Sequence, residues 1–402
     1  MTAASDLTRH VPALLRRARA LLRLSGGPDD RLAPGELKPA ARAVAALHEG
    51  LVGDRALARP STYDARAHLG AYLLWWWPQS YAKVRAALRL LPPALGAGAR
   101  VLDLGAGPVP GALAAIDHLR ELHGRAGEAL ATDASELALE EARALSGGSV
   151  RTQRSLFGST ASDSPKKEQS IAGQFDLILA ANLLSELPSA TPVRASLLAD
   201  LCERNLAPGG VLLVVEPALR ETGRALLEVR DAVLAQHGLY ALAPCLTQKP
   251  CPALVAARDW CTAARPWQAP LHVGQLAREL GLHADEELSF AFAALGRLSE
   301  LHAPPDAELW RVVGLRPVER GKQRVFVCSD AGRLPLSRLD REESAANAAF
   351  STLERGDLVR LRGLGQKGDG LRAGPAAEVI RLGESAPAHS QPAAPPHDGE
   401  RE

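Results

Sequence analysis

The sequence predicts an α/β fold: a seven-stranded Rossmann-like sheet, a helical N-terminal region before it and a small β-rich C-terminal domain after it. Three observations predict this. From Arg100, short apolar runs alternate with helical patterns, as in a parallel sheet covered on both faces. The first run ends in the glycine turn "VLDLGAGPVPG", where a strand meets a helix. Beyond Glu308 the pattern changes to short strands separated by turns. The expected boundaries are 1–95 for the helical region and 96–300 for the sheet, with a cysteine-rich insertion at 243–267. The β-rich domain then spans 301–383, and 384–402 is a disordered tail.

The elements follow in chain order. "RHVPALLRRARALLRLSGG" has the spacing of an amphipathic helix with an arginine face; a transit peptide is the alternative. "STYDARAHLGAYLLWWWPQSYAKVRAALRLLP" is helical, with a break expected at Pro78. Its Trp75-Trp76-Trp77 run wraps around any helix, so part of it must pack on another surface. Strands are expected in "RVLDLGAG", "EALATDAS", "SVRTQRSLF", "FDLILAANLLSEL" and "VLLVVEPA". Helices connect them at "GALAAIDHLRELHG", "ELALEEARAL", "PVRASLLADLCERNLAPGG" and "ETGRALLEVRDAVLAQHG", the third ended by its Pro-Gly-Gly. "GSTASDSPKKEQSIAGQ" reads as a polar loop. "LYALAP" and "LSFAFAALGR" supply the last two strands, with the cysteine segment between them. "LWRVVGLRPV", "RVFVCSD", "RLPLSRLD" and "GDLVRLRG" are the strands of the β-rich domain. The tail "GESAPAHSQPAAPPHDGERE" has too little apolar content to pack a core.

Composition narrows the function classes. With 46% hydrophobic residues in 402, the chain can bury a sizeable core, built from Ala and Leu because aromatics are only 4%. A net charge of +1 gives no global pull toward nucleic acid, so RNA contact needs a local patch. No apolar run approaches the ~18 residues of a membrane span, so no membrane partner is expected. No secretory signal pattern is present. Five cysteines, an odd number, read as metal ligands or buried thiols rather than a disulfide framework. The Ala-rich, Arg-rich usage points to a GC-rich genome and a bacterial cytoplasm, with the mitochondrial matrix as the alternative. Nothing marks a coiled coil, and a monomer is expected.

The glycine turn places Asp103, Gly105, Ala106, Gly107 and Gly111 at the end of the first strand. A dinucleotide fingerprint would need glycine at 110, where Pro110 stands. Asp133 ends the second strand, as suits a carboxylate that accepts from ribose hydroxyls. A pyrophosphate favours a carboxylate-free turn, whereas a sulfonium cofactor tolerates acidic neighbours. The pattern therefore fits S-adenosyl-L-methionine better than NAD. Asn182, Ser185 and Glu186 follow the fourth strand and are expected at the pocket or its substrate side. No residue stands out as a catalytic base.

Cys245, Cys251 and Cys261 are spaced C-x5-C-x9-C, and Cys328 follows in the β-rich region. Cys202, in an apolar helix, reads as a core thiol. The close C-x2–4-C pairs usual in zinc sites are absent. Four thiolates at uneven spacing suit a 4Fe–4S cluster. Cluster, zinc and unligated thiols all stay open on spacing alone. Pro252 stiffens the segment, and Trp260 is placed to shield a cluster from water.

These residues resemble the methyltransferase-like family of mitochondrial small-ribosomal-subunit assembly proteins and its bacterial relatives. The likeness runs from about Tyr63 to Gly363. It rests on "AYLLWWWPQSYAKVRAAL", "VLDLGAGPVPGALAA", "GGVLLVVEPA", "APC-x5-CP" with "WC", "VFVCSDAG" and "LERGDLVR". The resemblance implies a seven-stranded S-adenosylmethionine-dependent methyltransferase fold and a 4Fe–4S cluster on Cys245, Cys251, Cys261 and Cys328. It implies a role at the small ribosomal subunit or its rRNA, in assembly or translation. Three positions depart from the family pattern. Cys245-Leu246-Thr247 replaces Cys-Pro-His, Arg355 replaces a tryptophan, and Val109 stands where glycine is usual. A branched side chain at 109 is expected to crowd the cofactor.

Three functions compete at this point: a methyltransferase with a ribosomal substrate, a non-catalytic RNA-binding assembly factor, and a small-molecule methyltransferase with structural zinc. RNA docking would draw on "RHVPALLRRARALLR" and on Arg311, Arg316, Arg320, Arg324, Arg333 and Arg338.

Overall fold

Alternation along the central strands decides the architecture. The structure is a computed structural model describing residues 3–53, 57, 60–92, 95–158, 171–187, 190–282, 287–297, 306–315 and 319–382. Helices α1 (Ala3–Leu22), α2 (Pro34–His48) and α3 (Arg66–Arg89) come first. They are followed by β1 (Val101–Leu104), α4 (Pro110–His123), β2 (Ala129–Asp133), α5 (Glu136–Ser146), β3 (Arg151–Arg154) and β4 (Phe175–Ala181). Then come α6 (Thr191–Asn205), β5 (Leu206–Pro217), α7 (Arg220–Gln236), β6 (Tyr240–Ala243), β7 (Ala263–Pro266), α8 (Leu271–Leu280) and β8 (Glu287–Gly296).

These strands form an 8-stranded sheet in the order β3-β2-β1-β4-β5-β8-β6, with β7 also on β8. β1 to β5 run parallel, and β8 is antiparallel to β5. Successive residues feed opposite cores. Val101, Leu177, Leu179, Leu213 and Val215 join one core with α1, α3, α4 and α8. Leu102, Leu104, Ile178, Leu212 and Val214 join the other with α6 and α7.

β6 and β7 lie end to end on the outer edge of β8. Ala241 pairs with Leu295, and Ala263 pairs with Phe290. The cysteine segment is the excursion between them. β7 was not foreseen and makes the sheet eight strands rather than seven; α8 was not foreseen either.

A second sheet contains β9 (Leu309–Leu315), β10 (Lys322–Ser329), β11 (Gly332–Leu339), β12 (Leu358–Arg362), β13 (Gly365–Lys367), β14 (Gly370–Arg372) and β15 (Glu378–Arg381). Its order is β13-β14-β11-β10-β9-β12-β15. Its core holds Trp310, Val312, Val327, Leu336, Phe350 and Val359.

Several expectations need correction. α3 is continuous through Pro78. The ring removes one amide, and fully buried His272 of α8 faces the Leu74 carbonyl that this leaves. α6 ends at Asn205, and Pro208-Gly209-Gly210 lies inside β5, where its register with β4 shifts between Phe175 and Leu177. Of the arginines expected to dock RNA, Arg19, Arg311 and Arg338 are buried, whereas Arg9, Arg16, Arg23 and Arg320 are exposed. Arg9 pairs with Asp117, Arg17 with Glu141 at 2.5 Å, and Arg19 with Glu36 at 2.9 Å. These pairs tie α1 to α4, α5 and α2. Arg311 and Arg338 are buried and cannot form a surface patch. Arg316, the middle of the polar loop and the tail lie outside the described residues.

Candidate cofactor pocket and cysteine centre

The strand order reverses between β1 and β4, which opens a crevice at their carboxyl ends. The glycine turn spans it. Gly105 has φ 59°, and a Cβ there would stand 2.8 Å from Leu183. Ala106 donates its amide to the Thr132 carbonyl at 2.9 Å. Asp133 fixes the turn by accepting from the Gly107 and Ser135 amides, each at 2.8 Å. Asp103 lies beneath, 1% exposed, and accepts the Ala112 amide at 2.7 Å. Only glycine fits at 111, because a Cβ would come 2.8 Å from that carboxylate. From outside, Trp77 of α3 donates its indole N–H to the Pro108 carbonyl at 2.8 Å. The Trp run is therefore an internal packing feature: Trp75 and Trp77 are buried, and Trp77 stacks on Tyr81.

The pocket in the crevice is about 30 Å³ and is walled by Tyr63, Gly105, Asp133, Phe157, Leu183 and Glu186, among others. Gly105 and Asp133 line it. Asp103, Ala106 and Gly107 stand behind as the frame of the turn. Asn182 is in the left-handed region at φ 59°, donates its amide to Val215 at 2.7 Å, and turns the chain into the pocket wall. Tyr63 and Phe157 were missed; the segment after the third strand was the available signal for Phe157. The crowding expected from Val109 is not what the structure shows. Its side chain is fully buried in the core and does not line the pocket. The departure appears in the backbone instead, at φ 55°.

The pocket is acidic. Burial pushes Asp103 up to about 7, against the pull of the Ala112 amide, and pushes Glu186 up to about 7. Burial also raises Asp133, opposed by its two amide partners, and raises Tyr63 well above its ordinary value. No Lys or Arg lines this pocket among the described residues.

The second site is a cavity of about 40 Å³ lined by Cys245, Cys251, Cys261 and Cys328. It lies between α7, β8 and the second sheet, with Arg230, Arg311 and Arg333 in its wall. Arginines hold the segment in place. Arg230 donates to the carbonyls of Thr247 and of Lys249, the latter at 2.6 Å. Arg224 donates to those of Ala256 and Asp259 at 2.9 and 2.8 Å. Arg311 reaches Pro244 at 3.1 Å and Gly356 at 2.9 Å. Thr247, where the family pattern has histidine, bonds Asp330 at 2.8 Å and ties the segment to the turn after Cys328. Trp260 does not shield the cavity. It packs on Gly223 of α7 and bonds the Ala218 carbonyl at 3.1 Å.

Burial raises Cys251 to about 11 and Cys328 to about 12 and also raises Cys261 well above its ordinary value, the neighbouring thiols adding to it. Burial lowers Arg311 to about 10. Among the described residues, no group of three or more His, Cys, Asp or Glu is arranged to hold a metal ion. Cys202 is 1% exposed and packs in the α6–α7 core, as expected.

Residues 66–358 match the family described as mitochondrial small ribosomal subunit Rsm22. The chain belongs to the Rsm22 family. That match covers the glycine turn, both ends of the cysteine segment and Cys328. No match is found among curated proteins. Among solved structures, the chain is similar to the ribosomal protein L11 methylase from Lactobacillus delbrueckii subsp. bulgaricus, at 18% identity over 54% of this chain and 78% of that one, TM-score 0.29. TrmN from Thermus thermophilus gives 19% identity over 56% of this chain and 53% of that one, TM-score 0.31. A TehB-like SAM-dependent methyltransferase from Corynebacterium glutamicum gives 17% over 58% and 99%, TM-score 0.32. No helix among the described residues is long and apolar enough to cross a membrane.

Proposed function

We propose that this Rsm22-family chain binds S-adenosyl-L-methionine and acts as a methyltransferase on rRNA of the small subunit, with a 4Fe–4S cluster on Cys245, Cys251, Cys261 and Cys328. The observation that carries the cofactor reading is the acidic pocket at the strand-order reversal, which no Lys or Arg lines among the described residues. A dinucleotide would bring its pyrophosphate to the first turn of α4. There Asp103 already accepts the Ala112 amide, so a phosphate would meet a carboxylate. A sulfonium and an ammonium meet opposite charge instead. Asp133 holds the glycine turn and still has lone pairs for ribose hydroxyls. Asn182, Ser185 and Glu186 would form the wall toward the methyl acceptor. Methyl transfer rests largely on positioning, worth ~7–11 kcal/mol, so it does not depend on a strong base.

The donor set fits a cluster. Four thiols surround one cavity whose lining holds no carboxylate, and three arginines offset the charge of four thiolates. A zinc ion would need the sulfurs drawn to ~2.3 Å from a single point. Among the described residues no group is preformed for a metal ion of any kind, so the support for a cluster is the convergence of four thiols on one cavity. Burial raises Cys251, Cys261 and Cys328 as free thiols, so loading must release protons. The cavity bridges the proposed units 96–300 and 301–383; the other proposed units are the helical region 1–95 and the tail 384–402. The protein would act as a monomer where small subunits are made, in a bacterial cytoplasm or a mitochondrial matrix.

One observation favours a second reading, a non-catalytic assembly factor. At about 30 Å³ the free space in the cofactor pocket is small for a nucleoside ligand. Calorimetric titration with S-adenosylmethionine separates the two. Saturable one-to-one binding that Asp133→Ala abolishes supports the cofactor reading. Absence of heat leaves the assembly factor.

A further inference from the structure

A second polar pocket, of about 160 Å³, lies across the 183–187 segment from the cofactor pocket. Leu183, Glu186 and Leu187 line the cofactor side, and Leu184 and Ser185 line this one. The carboxyl end of β5 and the first turns of α7 complete it, with Arg194, Glu216, Glu221 and Thr222. It therefore sits where open α/β sheets present ligands, beyond the strand ends.

Its charged groups are built in. Glu216 is 1% exposed and accepts the Leu184 amide at 2.9 Å, which holds its carboxylate at the pocket floor. Arg194 is 9% exposed and donates through Nη2 to the Leu187 carbonyl at 3.3 Å. Its buried Nε has no hydrogen-bond partner among the described residues. A buried donor left unmatched is costly, and a ligand acceptor would satisfy it.

The charge pattern selects the ligand. A phosphate or carboxylate would meet Glu216 and Glu221. An ammonium would meet Arg194. A neutral edge with one carbonyl next to N–H donors satisfies both signs. A glutamine amide offers one carbonyl and one NH2, enough for a single carboxylate. Guanine sets O6 beside N1–H and N2–H2, a match to an arginine and two carboxylates. We propose that this pocket takes the Watson–Crick edge of an unstacked guanine in single-stranded RNA. Unstacked bases are the usual targets of sequence-specific RNA recognition and of enzymes that act on a base. That this guanine is the methyl acceptor rests on the methyltransferase reading; its binding does not.

The test uses the full chain and fluorescence polarisation at fixed salt. The probes are short oligouridine strands carrying one central guanine, adenine or cytosine, or none. The guanine strand is expected to bind at least tenfold more tightly than the others. Arg194→Met and Glu216→Gln should each erase at least fivefold of that preference. Glu221 is exposed, so Glu221→Gln should keep the fold and the S-adenosylmethionine titration while reducing the preference. Equal binding of all strands would overturn the proposal. So would a preference untouched by Glu221→Gln and Arg194→Met, or displacement of the RNA by a glutamine peptide. Guanine preference without S-adenosylmethionine binding would keep the pocket and remove the acceptor role. S-adenosylmethionine binding without the preference would remove the pocket alone.

Discussion

Val109 shows how a single residue departs from expectation without damaging the site. A branched residue in the left-handed region costs ~1–2 kcal/mol, and this one holds the turn into α4 with its side chain in the core. Glycine at 109 loses the buried side chain but also loses the strain, whereas alanine loses packing and keeps most of the strain. Val109→Gly should therefore be more stable than Val109→Ala by ~1 kcal/mol in urea unfolding. The reverse order would show that position 109 is not strained.

The pocket carboxyls make a pH prediction. Asp103 and Glu186 are raised to about 7 by burial, so the native state holds protons that the unfolded chain releases between about pH 4 and 7. Their contribution to stability therefore falls as pH rises through that window. A cationic ligand needs the carboxylates charged. Its affinity should rise from pH 6 to pH 8, with protons released on binding, as calorimetry in two buffers of different ionisation enthalpy would measure. At this scale the sequence showed Asp103, Gly105 and Asp133 because strand ends and glycines are local signals. Tyr63, Arg194 and Glu216 were hidden because only the fold brings them to a pocket; Glu216, at the end of a buried strand, was the most readable of them.

Among elements, α3 and α7 do the positioning. α3 braces the glycine turn through Trp77, and α7 holds the cysteine segment through Arg224 and Arg230. Trp77→Phe keeps one aromatic ring but removes the donor to Pro108 and part of a fully buried indole. It should cost ~2–3 kcal/mol of stability and weaken S-adenosylmethionine binding several-fold. Arg224→Ala strips the carbonyls of Ala256 and Asp259 of their partner and should lower iron retention during purification, with α7 itself still folded by circular dichroism. The central strands and their helices were legible because apolar runs and helical periods are long. β7 was not, because "AARP" has no branched residue and becomes a strand only by pairing with β8. The continuity of α3 through Pro78 was illegible for a similar reason, since α8 supplies the group that faces the freed carbonyl.

On the scale of the whole molecule, the two sheets meet at the cysteine cavity. Arg311 of β9 bonds Pro244 and Gly356, and Arg265 of β7 bonds the Arg355 carbonyl at 2.7 Å. Cys328 joins the other three cysteines from the second sheet. The four positions were readable as a set from their order in the chain, but their convergence on one cavity was not, because Cys261 lies in the loop before β7 and Cys328 lies in β10 of the second sheet. With the proposed cluster in place, chelation should loosen this joint, seen as faster amide exchange in β9 and β10 with α4 and β1 unchanged. The burial of Arg311 and Arg338 was not legible in the sequence, because arginine burial depends on tertiary neighbours.

The most direct measurement is the iron, acid-labile sulfide and zinc content of protein purified without oxygen, read with its absorbance near 400 nm. About four irons and four sulfides per chain are expected, lost together in Cys261→Ser. A colourless protein with one zinc per chain, or one free of metal, would contradict the cluster at the joint of the two sheets.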